Sequence, residues 1–180
     1  MGSNPPTPTI PFYNMEEIKL PEFENPEDVI ADDYIRLMKG YISAQLFANL
    51  LGPLEVVDTK EVNERFIKVT YSGSGDSGGV DSVFPKKYFD FAKVVPYFEY
   101  ESGYRLVEGN YTPYGRVTLR DRSLEDILIS FCYTTLEHYY SGWETDDGAE
   151  GYLLINALTG EMKLEHTTYE TTTTTDTTVL

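Results

Sequence analysis

The 180-residue chain has little cysteine, few histidines and few basic residues, and it lacks long apolar runs. Cys132 is its single cysteine, which excludes an intrachain disulfide framework. No apolar stretch approaches the roughly 18 residues of a membrane-spanning helix, and no charged-then-apolar leader is present. We therefore expect a cytoplasmic protein that does not interact with a membrane.

Basic residues are scarce: 14 Lys and Arg stand against 30 Asp and Glu, which gives a formal net charge of −16. The excess lies at the two ends, because residues 1–33 and 137–180 each contain one lysine among many acids, whereas 34–136 is nearly neutral. Binding to DNA or RNA phosphates needs clustered Lys and Arg, so we expect none. The charge is compatible with binding a cation or a basic protein surface. It is equally compatible with acidic ends that simply keep the protein soluble.

Composition divides the chain into three parts. Residues 1–25 hold five of the ten prolines and predict an extended arm, 26–166 predict a single domain, and 167–180 form a threonine-rich tail. Apolar side chains of the arm could pack on the body of the protein or on a partner. The candidate interaction residues are Phe12, Tyr13, Ile18, Leu20 and Phe23.

Local signals predict two main helices. Asn25 as N-cap with Pro26 at the first helical position predicts a helix over 26–51. Ser123 followed by Asp126 resembles a capping box and begins a second helix that ends near 140–142. Other segments predict strands at 54–57, 65–71, 80–84, 103–107, 115–119, 152–156 and 161–165, with a short helix at 88–95. This pattern indicates an α+β fold, an antiparallel sheet packed against two main helices, with an extended N-terminal arm and a Thr-rich C-terminal tail.

Two segments rich in glycine and acidic residues are the best candidates for a site. The first, 71–81, reads YSGSGDSGGVD, and the second, 142–151, reads GWETDDGAEG. Carboxylate oxygens are the ligands that Ca²⁺ and Mg²⁺ prefer. Because the second segment does not follow EF-hand spacing, a cation site would need both segments to converge. The candidate ligands are Asp76, Asp81, Glu144, Asp146 and Asp147, with Glu150 beside them.

Other interpretations of these segments remain open. The GDSGG sequence at 75–79 resembles the nucleophile motif of chymotrypsin-like serine proteases, although both histidines follow its serine in the chain. Phosphate binding by the glycine-serine loop would meet repulsion from the nearby aspartates. A metal-assisted hydrolase would use Asp76, Glu144, Asp146 and Asp147. Glu144 or a neighbouring aspartate would act as general base, assisted by His138. A purely architectural role is the simplest alternative, since Gly and Asp suit tight turns.

Taken together, the two motifs resemble an uncharacterised family of small bacterial and phage-encoded proteins. That family has a G-S-G-D-S-G loop and a later G-W-E-x-x-D-G-A-x-G segment followed by a hairpin, which correspond here to 66–81 and 138–165. Ser141 replaces the first of the two glycines before the tryptophan. The resemblance implies a bacterial or phage setting and carries over no catalytic role. Our hypothesis is a non-enzymatic acidic protein that binds a protein partner and could hold Ca²⁺ or Mg²⁺, with DNA mimicry as a minor alternative.

Overall fold

A computed structural model describes residues 18–50, 66–84, 88–145 and 147–170. The strand predicted at 54–57 and most of the threonine-rich tail lie outside these residues. Within them, antiparallel strands and two helices confirm the α+β class. In chain order the elements are α1 (Ala31–Ala48), β1 (Phe66–Ser74), β2 (Ser77–Phe84), β3 (Val94–Val107), β4 (Asn110–Ser123), α2 (Leu124–Tyr139), β5 (Ala149–Asn156) and β6 (Met162–Thr168).

The strands form two separate antiparallel sheets. A four-stranded sheet has the order β2-β1-β5-β6, and β3 and β4 form a long two-stranded hairpin. Strand β1 shows the period of two that half-buried strands require, because Ile67, Val69 and Tyr71 are buried while Lys68 and Thr70 are less so. The predicted hairpin between the last two strands is present as β5–β6.

Helix α2 lies at the centre of the domain, in contact with α1, β1, β2 and the β3–β4 hairpin. It begins as predicted: the Ser123 hydroxyl accepts a hydrogen bond from the Asp126 amide at 3.1 Å. Its apolar face joins buried residues of the four-stranded sheet in one core cluster. The buried residues of α2 are Leu124, Ile127, Leu128, Phe131, Cys132, Thr135 and Leu136.

Helix α1 begins later than predicted, so the assignment of Asn25 as its N-cap is wrong. The Pro26 carbonyl accepts from the Val117 amide at 2.8 Å, and the Val29 amide donates to the Gly115 carbonyl at 2.7 Å. These bonds attach the segment before the helix to strand β4, and its backbone groups are then not free for helical bonding. The Asn25 side chain instead caps a local turn.

The helix predicted at 88–95 is also wrong, because this segment leads into a strand. Phe89 forms an isolated bridge with Leu50, and β3 begins at Val94. The hairpin turn consists of Glu108 and Gly109, whose φ angles are 50° and 83°. Positive φ at both central residues is the geometry of a type I′ turn, which matches the twist of a tight hairpin. The strands predicted at 103–107 and 115–119 are parts of the longer strands β3 and β4.

Buried tyrosines attach the base of this hairpin to α1. The Tyr34 hydroxyl lies 2.5 Å from the Tyr97 hydroxyl and donates to the Phe98 carbonyl at 2.9 Å. The Tyr41 hydroxyl donates to the Pro96 carbonyl. These bonds satisfy hydroxyl groups that would otherwise be buried at a cost, and they fix the position of the hairpin on the domain.

The described part of the N-terminal arm packs on the body of its own chain. Ile18, Leu20 and Phe23 are partly buried against the core. The Phe23 ring meets the Phe98 ring edge-on at a centroid distance of 5.2 Å. Phe12 and Tyr13, the other predicted interaction residues, lie outside the described residues.

Candidate functional sites

The structure brings the two glycine- and acid-rich segments together because β1 and β5 are neighbouring strands. In their register Gly73 lies opposite Ala149, and Ser72 opposite Glu150. Gly148, whose φ is 85°, approaches β1 so closely that an added Cβ would overlap the Gly73 carbonyl oxygen. The two segments, far apart in sequence, thus form one corner of the molecule.

Trp143 occupies a slot that two glycines create at this corner. Gly73 and Gly78 face each other across the β1–β2 hairpin. An added Cβ would lie 3.0 Å from Trp143 Cζ3 at Gly73 and 2.6 Å from Trp143 Cη2 at Gly78. The tryptophan is only 6% exposed, and Tyr71 meets its ring edge-on at 5.4 Å. These glycines therefore have an architectural role, since they let an indole approach the backbone.

The predicted cation ligands lie around the same corner with different exposures. Asp76 is exposed in the β1–β2 turn, and Asp81 is exposed on β2, where a serine hydroxyl of β1 donates to it at 3.2 Å. Glu144 is half-buried and Asp147 is exposed, whereas Asp146 lies outside the described residues. In the part of the chain that the structure describes, no three His, Cys, Asp or Glu residues are grouped to hold a metal ion. The cation site stays a prediction.

Two buried polar atoms at the corner have no hydrogen-bond partner among the described residues. They are the indole nitrogen Nε1 of Trp143 and the carboxylate oxygen Oε2 of Glu144. One is a donor and the other an acceptor. Buried polar atoms are nearly always paired with protein, water or a ligand, so a water or a ligand with matching polar groups could bind these two atoms.

Both histidines form contacts that join elements of the fold. His166 Nδ1 lies 2.9 Å from the Tyr71 hydroxyl, and the Tyr140 ring stacks on the imidazole at 3.9 Å. Burial lowers the pKa of His166 and raises the pKa of Tyr71. His138 Nε2 lies 2.8 Å from Asp32 Oδ1 and so connects α2 with α1. These contacts give each imidazole a packing role.

A groove of about 1230 Å³, which was not predicted from the sequence, lies between the β3–β4 hairpin and α2. The residues just before and at the start of α1 close one side of it. Its carboxylates are Asp28, Glu99, Glu101, Asp126 and Glu137. Its aromatic rings are Tyr100, Tyr104, Tyr114 and Tyr133.

Residues 48–178 match the model of a "Family of unknown function (DUF6878)". The chain belongs to this family. The match includes all six strands and α2, and so it covers the Trp143 corner and both main walls of the groove. The prediction of an uncharacterised family is confirmed. No curated protein and no solved structure gave a match.

In this member of the family, no helix among the described residues is long and apolar enough to cross a membrane. The negative charge of the groove is only partly balanced by the arginines of the hairpin. Arg122 donates to both carboxylate oxygens of Glu99, at 3.2 and 3.1 Å. Arg116 donates to Glu101. Glu137 is exposed on α2, and none of these arginine contacts offsets its charge.

One feature of the sequence could have indicated the groove. Four of the six arginines of the chain fall between 105 and 122, interleaved with tyrosines and preceded by two glutamates. That interleaving is compatible with a charged, exposed hairpin. It could not show that α2 would face the hairpin, because nothing local specifies that packing.

Proposed function

We propose that this protein is a non-enzymatic binding protein that takes a basic segment of a partner protein into the groove between the β3–β4 hairpin and α2. The observation that carries the proposal is the combination of five carboxylates and four tyrosine rings in one groove. An acidic surface attracts a basic partner over several ångströms and accelerates its association. Tyrosine rings add favourable contacts with ammonium and guanidinium groups.

The dimensions of the groove favour an extended peptide as its ligand. Pockets for small molecules typically have volumes of about 300–1,000 Å³ and enclose the ligand. This groove is larger, at about 1230 Å³, and lies between a helix and a hairpin with strands of 14 residues. Hydrogen bonds from Tyr34 and Tyr41 hold the base of the hairpin in place. A preformed wall reduces the ordering cost of binding.

The groove replaces the N-terminal arm and the acidic tail as the main proposed contact with the partner. The sequence suggested the arm at 1–25 and the acidic tail, but Ile18, Leu20 and Phe23 pack on the core of the same chain. We therefore assign the main contact to the groove. A role for Phe12, Tyr13 and the tail stays a prediction, as does the bacterial or phage cytoplasm in which the partner would be met.

The test is the binding of a labelled twelve-residue peptide that alternates basic residues with glycine, measured by fluorescence anisotropy. The double variant Glu101→Gln/Glu137→Gln removes one charge from each wall of the groove. The control Glu161→Gln/Glu170→Gln removes two exposed charges outside it, so both variants have the same net charge. At about 1 kcal/mol for each lost charge contact, we expect the groove variant to weaken binding roughly ten-fold or more.

The control should change the affinity less than about two-fold, because charges outside the groove contribute only to the long-range field. Equal weakening by both variants would show that the groove is not the contact. A wild-type protein that fails to bind the peptide at low ionic strength would reject the proposal altogether.

Among the described residues the Glu144 oxygen Oε2 has no hydrogen-bond partner, which favours a second candidate, a divalent cation held at the Trp143 corner. Millimolar Ca²⁺ or Mg²⁺ should then raise the melting temperature, because a ligand that binds only the folded state stabilises it. Glu144→Gln should abolish this rise, whereas the control Glu161→Gln should retain it. Absence of a rise in the wild type would reject both the cation and the metal-assisted hydrolase that depends on it.

A further inference from the structure

The guanidinium group of Arg105 contacts two residues that line the groove. Arg105 Nη2 donates to Asp28 Oδ2 at 3.1 Å. The guanidinium carbon of Arg105 lies 5.8 Å from the centroid of the Tyr114 ring. Asp28 and Tyr114 both line the groove. A carboxylate that accepts hydrogen bonds and an aromatic face that attracts a cation are together well suited to a guanidinium.

We infer that Asp28 and Tyr114 form an arginine-binding site, which Arg105 occupies in the free protein and which an arginine of the partner takes over. The inference rests on the proposed function, because it names the side chain that the groove recognises. Arg105 is a competitor in this scheme. It keeps the site filled until a segment with a better-placed arginine enters the groove.

Both groups of the site are held independently of Arg105. Asp28 belongs to the segment 26–29, whose backbone is hydrogen-bonded to β4 at both ends. The Tyr114 ring lies against Gly103, its partner across the hairpin, where an added Cβ would be 2.9 Å from Tyr114 Cε1. The glycine thus makes room for the ring. Departure of Arg105 would leave the carboxylate and the ring in place for another guanidinium.

The contact of Arg105 is of a kind that a partner can displace. The Arg105 side chain is 46% exposed and the Asp28 side chain 48% exposed. Exposed ion pairs are weak because water and salt screen them and because ordering two side chains is unfavourable. An arginine within a bound peptide loses less freedom on entering the site, since the rest of the peptide already holds it in the groove.

The experiment compares three peptides that alternate glycine with arginine, lysine or citrulline. Binding is measured for the wild type, Arg105→Ala, Asp28→Asn and the double variant Arg105→Ala/Asp28→Asn. The control is Arg36→Ala, which also removes an exposed arginine that is paired with an aspartate, but on α1 and outside the groove. Circular dichroism confirms that each variant is folded.

Removal of the competitor should strengthen binding of the arginine peptide. We expect Arg105→Ala to bind it about two- to five-fold more tightly than Arg36→Ala does, the gain expected when an exposed ion pair no longer competes. The gain should be smaller for the lysine peptide, whose ammonium lacks the planar donor geometry of guanidinium, and absent for citrulline. Asp28→Asn should weaken binding and eliminate the gain in the double variant.

The outcomes separate this inference from the proposed function. Unchanged or weaker binding by Arg105→Ala relative to Arg36→Ala would overturn the arginine site, as would equal gains for arginine and lysine peptides. The groove would then still be supported if Glu101→Gln/Glu137→Gln weakens binding. Failure of every basic peptide to bind the wild type would remove both the groove and the site within it.

Discussion

Substitution of Gly78 by alanine tests whether the motif glycines exist to hold Trp143. The new Cβ would lie 2.6 Å from Cη2 and 2.7 Å from Cζ3 of the indole, and 2.9 Å from Glu144 Cβ. Favourable carbon–carbon contacts occur at about 3.5–4.0 Å, so the indole or the strand has to move. Movement of the ring is restricted because Tyr71 and Tyr133 flank it, at centroid distances of 5.4 and 6.4 Å.

The expected destabilisation is large because neither response is easy. Forcing an extra carbon into a packed site costs about 1–3 kcal/mol. Loss of the buried indole contacts, as in a Trp→Ala substitution, costs about 3–5 kcal/mol. We therefore expect Gly78→Ala to lower the free energy of unfolding by about 2–4 kcal/mol, a large part of the roughly 5–15 kcal/mol that stabilises a typical domain.

Gly79→Ala is the matched control, in the same strand one residue further on. The nearest atom to its added Cβ is the Tyr133 hydroxyl at 3.5 Å, an ordinary contact. We expect this variant to remain within about 0.5 kcal/mol of the wild type. The comparison separates the steric effect at Gly78 from the general effect of adding a methyl group to β2.

Urea unfolding is the assay, followed by circular dichroism and tryptophan fluorescence. Trp143 is the only tryptophan in the chain, so its emission reports directly on the slot. Native Gly78→Ala should emit at longer wavelength than the wild type, because its indole is more exposed to water. If Gly78→Ala has the stability and the emission of Gly79→Ala, the close approach of the indole to the glycine does not constrain the fold, and the argument fails.

Three further predictions concern polar groups that are wholly or partly buried. Tyr34→Phe removes the hydroxyl that lies 2.5 Å from the Tyr97 hydroxyl. We expect urea unfolding to show a free energy of unfolding lower by about 1–3 kcal/mol, and an unchanged free energy would contradict a stabilising role for the tyrosine hydrogen bonds. Burial lowers the pKa of His166 below its ordinary 6.5, so the unfolded state binds the proton more readily than the native state does. The free energy of unfolding is therefore highest above pH 6.5 and decreases as the pH falls through 6.5 toward the lower native pKa. His166→Asn should therefore make unfolding free energy less dependent on pH between about pH 7 and 5, and an unaltered dependence would count against this assignment. Burial raises the pKa of the Cys132 thiol to about 12, so a thiol reagent at mildly alkaline pH should label the native protein only through unfolding, and fast labelling would disprove its burial.

Some elements were predictable because their determinants are local. The start of α2 depends on Ser123 and Asp126, which are adjacent on the first turn, and on an apolar stripe at helical spacing. The β1–β2 turn depends on Gly75, whose φ of 68° suits the first central position of a two-residue turn. Such signals act over a few residues and do not need the rest of the fold.

Other predictions failed because distant residues decided the outcome. Asn25 and Pro26 form an appropriate helix start in isolation, but strand β4 binds the backbone of that segment. Within 88–95, Phe89 bridges Leu50, and only Val94 and Val95 belong to β3, where they pair with β4. In both cases backbone contacts with distant segments replaced the predicted helical ones.

The sequence by itself determined the acidic charge, the α+β class, the second helix and the two glycine- and acid-rich segments. The tertiary structure decided what those segments do: the pairing of β1 with β5 makes them adjacent, and the Gly73–Gly78 pair accommodates Trp143. It also decided that the β3–β4 hairpin faces α2 across an acidic groove. Composition and periodicity act along the chain, whereas a site depends on which surfaces meet, and that is fixed only when sheets and helices pack together.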